Sequence, residues 1–165
     1  FNAMPPMAGR EPGVVGAAIN SNAFVGIICD GIHVADEMVA MAIRARPVAD
    51  RMYLISDAMP TVGGPTDFNL YGSKVTLTNN RLVNSEGVLA GAHITQSEGI
   101  KRLADHIGIP TEDALKMAIS IPGAAIGLQL DHIQGRSIKD IICFTNELEY
   151  QGSLEDFLRL RRKNL

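Results

Sequence analysis

The fold is decided by residues 24–33, which have the sequence FVGIICDGIH. The apolar run from Phe24 to Cys29 has the length of a buried strand, and it ends abruptly at Asp30. Residues 52–55 form a second short apolar run that ends before another polar stretch containing Asp57. Continuous apolar runs, in place of alternating apolar and polar residues, are typical of a parallel sheet covered on both faces.

The segment between the two apolar runs predicts a helix, so the order of elements in this part of the chain is strand, helix, strand. Apolar residues recur at helical spacing up to about Ala45, with Asp36 suited to the N-cap and Pro47 to the end of the helix. Farther along, Asn79-Asn80 between two short strands indicates a hairpin. The other predicted elements are a strand at 138–145 and helices at 14–19, at 94–106, after a Thr111 cap, around Pro122 and from Ser153 to Arg162, the last with Ser153 and Asp156 in a capping arrangement. We therefore predict an α/β fold.

Composition limits the class of protein. The chain has 165 residues, of which 46% are hydrophobic and 20% charged, which fits one globular domain with a sizeable core. A net charge of −3 without a dense basic run gives no electrostatic reason to expect nucleic acid or a membrane as partner. The two cysteines, Cys29 and Cys143, lie in separate apolar runs, so we expect buried free thiols in a reducing compartment, the cytoplasm.

The candidate chemistry lies directly after the two predicted strands. His33 follows the first strand and Asp57 follows the second, and the carboxyl ends of parallel strands meet at one edge. A carboxylate in that position can accept a proton from an attacking water and return it to a leaving nitrogen. The alternative is that Asp57 caps its own loop and that His33 is a structural residue.

Two glycine-containing segments are candidate ligand-binding loops. Arg10 lies between glycines in residues 8–13, where its planar guanidinium could bind a phosphate, although a solvated surface arginine has the same signature. Leu89-Ala90-Gly91 precedes a predicted helix, and backbone amides there could hold an anion or a sugar hydroxyl. Gly91 could instead serve only a turn.

Five short motifs, in this order, resemble the N-acetylglucosamine-6-phosphate deacetylases of the amidohydrolase superfamily. They are Phe1-Asn2-Ala3-Met4, Gly9-Arg10-Glu11-Pro12-Gly13, Asp30-Gly31-Ile32-His33-Val34, Ser56-Asp57-Ala58 and Gly87-Val88-Leu89-Ala90-Gly91. The resemblance implies the C-terminal part of a TIM-like (β/α)8 barrel over residues 1–130. It also implies that 131–165 correspond to a partial or altered small β domain, and that the enzyme is a homodimer.

The resemblance also implies roles for individual residues. Asp57 would be the catalytic general base and acid, acting on a water bound to a Zn-like divalent ion, and His33 would bind the substrate. Asn2 and Ala3 would bind the sugar phosphate, Arg10 would reach the phosphate across the dimer interface, and the segment 89–91 would line the sugar site. The substrate would be N-acetylglucosamine 6-phosphate, a phosphorylated amino sugar.

The departures from the family pattern keep two alternatives open. The family's metal ligands, a Glu and two His, would lie before Phe1, so we expect no metal ligand in this chain and an isolated fragment without activity. The tail after Gly135 is shortened relative to the family's closing strands. One alternative is another barrel amidohydrolase, dihydroorotase-like or deaminase-like, and the other is a truncated, non-catalytic product.

Overall fold

A strand, helix, strand unit with parallel strands forms the centre of the fold. The structure, a computed structural model, describes residues 3–163. The elements of the first third are α1 (Gly13–Asn20), β1 (Val25–Ile28), α2 (Asp36–Ala45), a 3-10 turn (Ala49–Arg51) and β2 (Met52–Ile55). β1 and β2 pair in parallel, with Val25 opposite Met52 and Ile28 opposite Ile55. This confirms the predicted unit.

The start of α2 differs from the prediction. Ala35 occupies the N-cap, and Asp36 is the first helical residue, with no capping hydrogen bond. The reason is a competing partner, since the Asp36 carboxylate accepts two hydrogen bonds from Arg102. The assignment of Asp36 as N-cap is therefore wrong, although its negative charge in the first turn still interacts favourably with the helix dipole.

A three-stranded antiparallel sheet follows β2. It consists of β3 (Asp67–Leu70), β4 (Ser73–Thr78) and β5 (Arg81–Asn84). The predicted Asn79-Asn80 hairpin is confirmed, and both residues have positive φ, 50° and 62°, as a two-residue turn of this type requires. The sequence pattern did not predict β3, because its four residues alternate between polar and apolar over too short a length.

Three helices then cover the parallel strands: α3 (Gln96–Asp105), α4 (Thr111–Ala118) and α5 (Ser120–Ala125). Thr95 caps α3 in a reciprocal capping box with Glu98, which explains the start of this helix. The N-cap of α4 is Pro110, and Thr111 makes no capping hydrogen bond, so the predicted Thr111 cap is wrong. All three helices pack against β2.

The C-terminal region is a short hairpin joined to a helix. Its elements are β6 (Ile142–Phe144), β7 (Tyr150–Ser153) and α6 (Leu154–Lys163). The strand predicted at 138–145 is shorter because the carbonyls of Ile138 and Ile141 accept hydrogen bonds from the first amides of α6. The predicted Ser153 and Asp156 capping arrangement is confirmed, because each accepts a hydrogen bond from the other's backbone amide.

The main core lies between the parallel strands and the surrounding helices. Its most buried side chains include Ile27, Leu54, Val39, Ile100 and Leu103. Both cysteines are free thiols, as predicted, with Cys29 buried and Cys143 partly buried. Within residues 3–163 no helix is long and apolar enough to cross a membrane. The domain boundary near residue 130 stays a prediction.

Candidate functional site

His33 is held by a buried carboxylate directly after β1. Its Nδ1 lies 2.6 Å from Oδ2 of Asp30, and both side chains are about 5% exposed. The other carboxylate oxygen of Asp30 accepts the backbone N–H groups of Ile32 and His33, each at 2.9 Å. The loop therefore forms a turn around the Asp30 side chain, which fixes the direction of the imidazole.

The protonation of this pair follows from its hydrogen bonds. Burial alone would raise the pKa of Asp30, but the hydrogen bonds from the His33 ring and from the His33 and Ile32 amides lower it below its ordinary value. An ionised carboxylate only accepts hydrogen bonds, so Nδ1 of His33 carries the proton. Its Nε2 is then the ring nitrogen left for a ligand.

Cys29, just before Asp30, belongs to the core and not to the chemistry. Burial, together with the nearby Asp36 carboxylate, raises the pKa of its thiol to about 12. A thiol that stays protonated at neutral pH is a poor nucleophile and a poor metal ligand.

Asp57 reaches the same edge of the sheet as the Asp30 loop. Ile28 pairs with Ile55, and each aspartate follows two residues after its paired strand residue. Asp57 is exposed and has a positive φ of 52°, which is uncommon outside glycine. The side chain is therefore available to a ligand.

The segment containing Gly91 is paired to the Asp57 loop. The amide of Ala92 donates to the carbonyl of Asp57 at 2.9 Å, and the amide of Met59 donates to the carbonyl of Ala92 at 3.1 Å. Ala58 and Ala92 form an isolated parallel bridge. Asp57 and Gly91 are thus neighbours across this bridge, so two of the predicted site segments are in contact.

Residues 89–91 are themselves positioned by the antiparallel sheet. The amide of Ala90 donates to the Leu82 carbonyl at 3.0 Å, and Leu89 forms a bridge with Val83. Gly91 has a φ of 77°, and a Cβ there would lie 2.9 Å from Sδ of Met59. A side chain at this position would be strained by the backbone conformation and would have to displace Met59.

His93 and Thr61 form a second polar pair beside the bridge. Oγ1 of Thr61 lies 2.9 Å from Nδ1 of His93, and Thr61 is only 4% exposed. The contact of His93 with a buried hydroxyl fits a structural role for this histidine. The pair fastens the loop after Asp57 to the segment after Gly91, and no short-range sequence signal links two residues so far apart.

The N-terminal candidates that the structure describes, Ala3 and Arg10, make no hydrogen bond with this cluster. Arg10 is exposed in a turn closed by reciprocal backbone hydrogen bonds between Ala8 and Glu11, at 3.1 and 3.2 Å. Ala3 is also exposed. Asn2 lies outside the described residues. Among residues 3–163, no hydrogen bond or ion pair joins Arg10 to His33 or Asp57.

The fit of a metal ion can be tested on the described side chains. Across residues 3–163 there is no group of three or more His, Cys, Asp or Glu side chains arranged to hold a metal. The nearest approach at the site is the pair of Asp30 and His33, whose facing atoms are engaged with each other. The described residues therefore do not by themselves fit a divalent ion.

A cavity among the described residues lies away from this edge of the sheet. It is a groove of about 880 Å³ between α4, α5 and residues 128–134, with Asp50 on its wall. Asp50 precedes β2, whereas Asp57 follows it, so the groove lies at the other end of that strand. Neither His33 nor Asp57 lines it. Cavity size is therefore not a guide to the predicted site.

Comparison with known proteins identifies relatives, although no protein-family model matches the chain. The chain is 30% identical over 159 residues to the N-acetylglucosamine-6-phosphate deacetylase of Haemophilus influenzae, covering 93% of this chain and 41% of that protein. It is 33% identical over 128 residues to the N-acetylgalactosamine-6-phosphate deacetylase of a Shewanella species, covering 76% of this chain and 32% of the relative.

Comparison with solved structures also finds similarity to a deacetylase of this kind. The N-acetylglucosamine-6-phosphate deacetylase of Pasteurella multocida superimposes with a TM-score of 0.85 at 32% identity, over 93% of this chain and 41% of that structure. The resemblance predicted from the motifs is confirmed by these relatives. The chain spans less than half the length of each of them.

Proposed function

We propose that this chain, a relative of the N-acetylglucosamine-6-phosphate deacetylases, supplies the acid/base and sugar-binding side of an enzyme that hydrolyses N-acetylglucosamine 6-phosphate to glucosamine 6-phosphate and acetate. The observation that carries the proposal is the pairing of Asp57 with Ala92, which joins the candidate base to the candidate sugar-binding segment. His33 lies in the loop that follows the neighbouring strand, β1, at the same edge of the sheet.

In this proposal Asp57 moves the proton. Its exposed carboxylate accepts a proton from the water that attacks the acetamide carbonyl, and a C–O bond forms. The same proton then passes to the amide nitrogen as the C–N bond breaks, so the amine leaves neutral and acetic acid forms, which loses its proton to solvent and is released as acetate. The positive φ of Asp57 supports this role, because strained residues persist where the surrounding structure fixes them and often lie at functional sites.

His33 binds the substrate through Nε2. The Asp30 carboxylate holds Nδ1, so Nε2 is the atom free to exchange a hydrogen bond with the sugar. Backbone groups of Leu89, Ala90 and Gly91 line the other side of the sugar. The close contact between Gly91 and Met59 supports this arrangement, since it brings the backbone unusually near the Asp57 loop.

The phosphate is bound by the N-terminal segment. Arg10 is exposed on a glycine-flanked turn and can form two parallel hydrogen bonds with phosphate oxygens. Asn2 and Ala3 add side-chain and backbone contacts to the phosphate. By resemblance to the deacetylases, we assign Arg10 to the phosphate site of a second subunit in a homodimer.

The larger enzyme would be a TIM-like barrel with a small β domain and would work in the cytoplasm. Two parallel strands and their covering helices are a natural portion of such a barrel, and free thiols fit a reducing compartment. The family implies a divalent ion of the zinc type. The described residues do not fit one, so no step of the proposal passes through it.

A second candidate substrate is N-acetylgalactosamine 6-phosphate. The Shewanella relative that the chain matches at 33% identity acts on that sugar by name. The two substrates differ only in the configuration of one hydroxyl, so the same acid/base chemistry serves both.

Ligand titration followed by NMR tests the proposal on the chain itself. We expect N-acetylglucosamine 6-phosphate to shift the amide resonances of His33, Asp57 and Gly91, and N-acetylglucosamine without phosphate to shift them less. The galactosamine analogue decides between the two sugars. Shifts confined to the groove between α4 and α5, or no shifts at millimolar ligand, would contradict the proposed site.

A further inference from the structure

A bidentate ion pair joins α2 to α3 beside the His33 loop. Nε of Arg102 lies 3.0 Å from Oδ1 of Asp36, and Nη2 lies 2.7 Å from Oδ2. The two side chains are 28% and 26% exposed, so the pair is partly shielded from water. Paired parallel hydrogen bonds of this kind fix the orientation of the guanidinium as well as its position.

The guanidinium lies directly over Gly31, inside the loop that positions His33. A Cβ at Gly31 would lie 2.6 Å from Cζ of Arg102, a separation that real atoms do not adopt. Gly31 also has a φ of 70°, which favours glycine. The guanidinium of Arg102 thus packs against the backbone of Gly31, within the turn that the Asp30 carboxylate forms with the amides of Ile32 and His33.

Arg102 is itself held in place through contacts of α3 with β2. Nε2 of Gln96 donates to the Leu54 carbonyl at 2.8 Å. A Cβ at Gly99 would lie 3.0 Å from a methyl carbon of Leu54, so the helix approaches the strand closely. The helix begins right after the segment that pairs with Asp57, so α3 connects both halves of the site.

We infer that Arg102 and Asp36 are positioning residues for His33: the clamp over Gly31 keeps the Asp30–His33 loop closed and thereby sets the direction of the imidazole. The consequence for sugar binding rests on the proposed function, but the effect on His33 does not. Without the clamp, the loop would keep its hydrogen bonds to Asp30 and the buried Val34, but it would lose the side chain that covers Gly31.

The competing account is that the ion pair only fastens two helices together. In that case its removal lowers the free energy of unfolding without changing the surroundings of His33. Arg102→Lys separates the two accounts. Lysine keeps the charge opposite Asp36, but its ammonium group cannot cover Gly31 with a flat fork.

The test is ¹⁵N NMR of the His33 ring in the 165-residue chain, with melting temperature and affinity for N-acetylglucosamine 6-phosphate measured on the same samples. The variants are Arg102→Ala, Arg102→Lys and the control Lys101→Ala. Lys101 precedes Arg102 on the same helix and forms an exposed ion pair with Asp105 at 2.7 Å.

We expect both Arg102 variants to move the Nδ1 and Nε2 resonances of His33 towards those of a freely exchanging imidazole. We also expect both variants to lower the affinity for N-acetylglucosamine 6-phosphate about tenfold. Lys101→Ala should leave both unchanged. His33 resonances in Arg102→Lys that match those of Lys101→Ala would overturn the inference. Should the unmodified chain fail to bind the sugar phosphate, the proposed function falls, while the ring resonances still decide the role of the clamp.

Discussion

The backbone amide of Ala92 donates a hydrogen bond to the carbonyl of Asp57 at 2.9 Å. This contact brings together two segments that are well separated in the sequence and that follow different elements. It holds the loop carrying the candidate base against the candidate sugar-binding segment before any ligand arrives. Preorganisation of this kind lowers the entropy cost of assembling a site.

Gly91→Ala tests whether this close approach is needed. We expect a loss of about 2 kcal/mol in the free energy of unfolding, because the new methyl group meets Met59 and the backbone has a positive φ of 77°. Gly87→Ala is the matched control, since its φ is 78° and the space around it is open. Urea unfolding measures both. Equal losses in the two variants would mean that backbone strain alone matters and that the contact with Met59 does not.

The Asp30 hydrogen bonds predict a pH dependence of stability. The pKa of Asp30 is lower in the folded chain than its ordinary value of 3.8. The stabilisation that the ionised Asp30 carboxylate gives the folded chain is therefore fully present above about pH 4, and it is lost as the pH falls through the pKa of the folded state. Asp30→Asn should be less stable than the unmodified chain by about 2 kcal/mol at pH 7. The difference should shrink below pH 4.

Urea unfolding of both proteins between pH 3 and pH 7 checks this expectation. A difference that stays constant down to pH 3 would show that the carboxylate charge contributes nothing to the turn. A difference in stability that grows on acidification would contradict the lowered pKa of Asp30 in the folded chain.

The two thiols should react at different rates with iodoacetamide. At a pKa of about 12, roughly one Cys29 thiol in ten thousand is ionised at pH 8, and its side chain is also buried. Cys143 is only partly buried on β6. Mass spectrometry of the labelled chain should therefore find Cys143 modified first, with Cys29 modified only after unfolding. Rapid labelling of Cys29 in the native chain would contradict its place in the core.

Arg10→Ala tests the phosphate assignment. We expect the affinity for N-acetylglucosamine 6-phosphate to fall about tenfold to a hundredfold, because a charge-assisted bidentate contact is lost. Binding of the sugar without phosphate should not change. Arg81→Ala, which removes an exposed arginine from β5, serves as the control. An unchanged preference for the phosphorylated sugar in Arg10→Ala would remove Arg10 from the site.

The sequence predicted those features that depend on local patterns. The continuous apolar runs gave β1 and β2, and Asn79-Asn80 gave the hairpin, since turn chemistry acts over a few residues. The two wrong helix caps, Asp36 and Thr111, have long-range and backbone causes. Asp36 is engaged by Arg102, far along the chain, and the backbone of α4 already turns helical at Thr111, which leaves Pro110 at the N-cap.

The candidate site divides in the same way. Asp57 and His33 were identified from their positions after the strands, and the parallel register puts them at one edge. The buried carboxylate that holds His33 was missed, although Asp30 lies three residues before it, because the aspartate equally suited the end of the strand. The bridge between Ala58 and Ala92, which makes Asp57 and Gly91 neighbours, is a tertiary contact that depends on the antiparallel sheet between them, and no spacing rule anticipates it.

The most direct test of the central claim is acetate release from N-acetylglucosamine 6-phosphate by a chimera in which this chain replaces the matching stretch of the Haemophilus influenzae relative. The proposal predicts turnover by the chimera and a loss of about a hundredfold to ten-thousandfold in kcat on Asp57→Asn, with sugar-phosphate binding retained. Equal rates with aspartate and asparagine at position 57 would contradict the assignment of this residue as the base. A folded chimera that binds the sugar phosphate but releases no acetate would contradict the proposed activity.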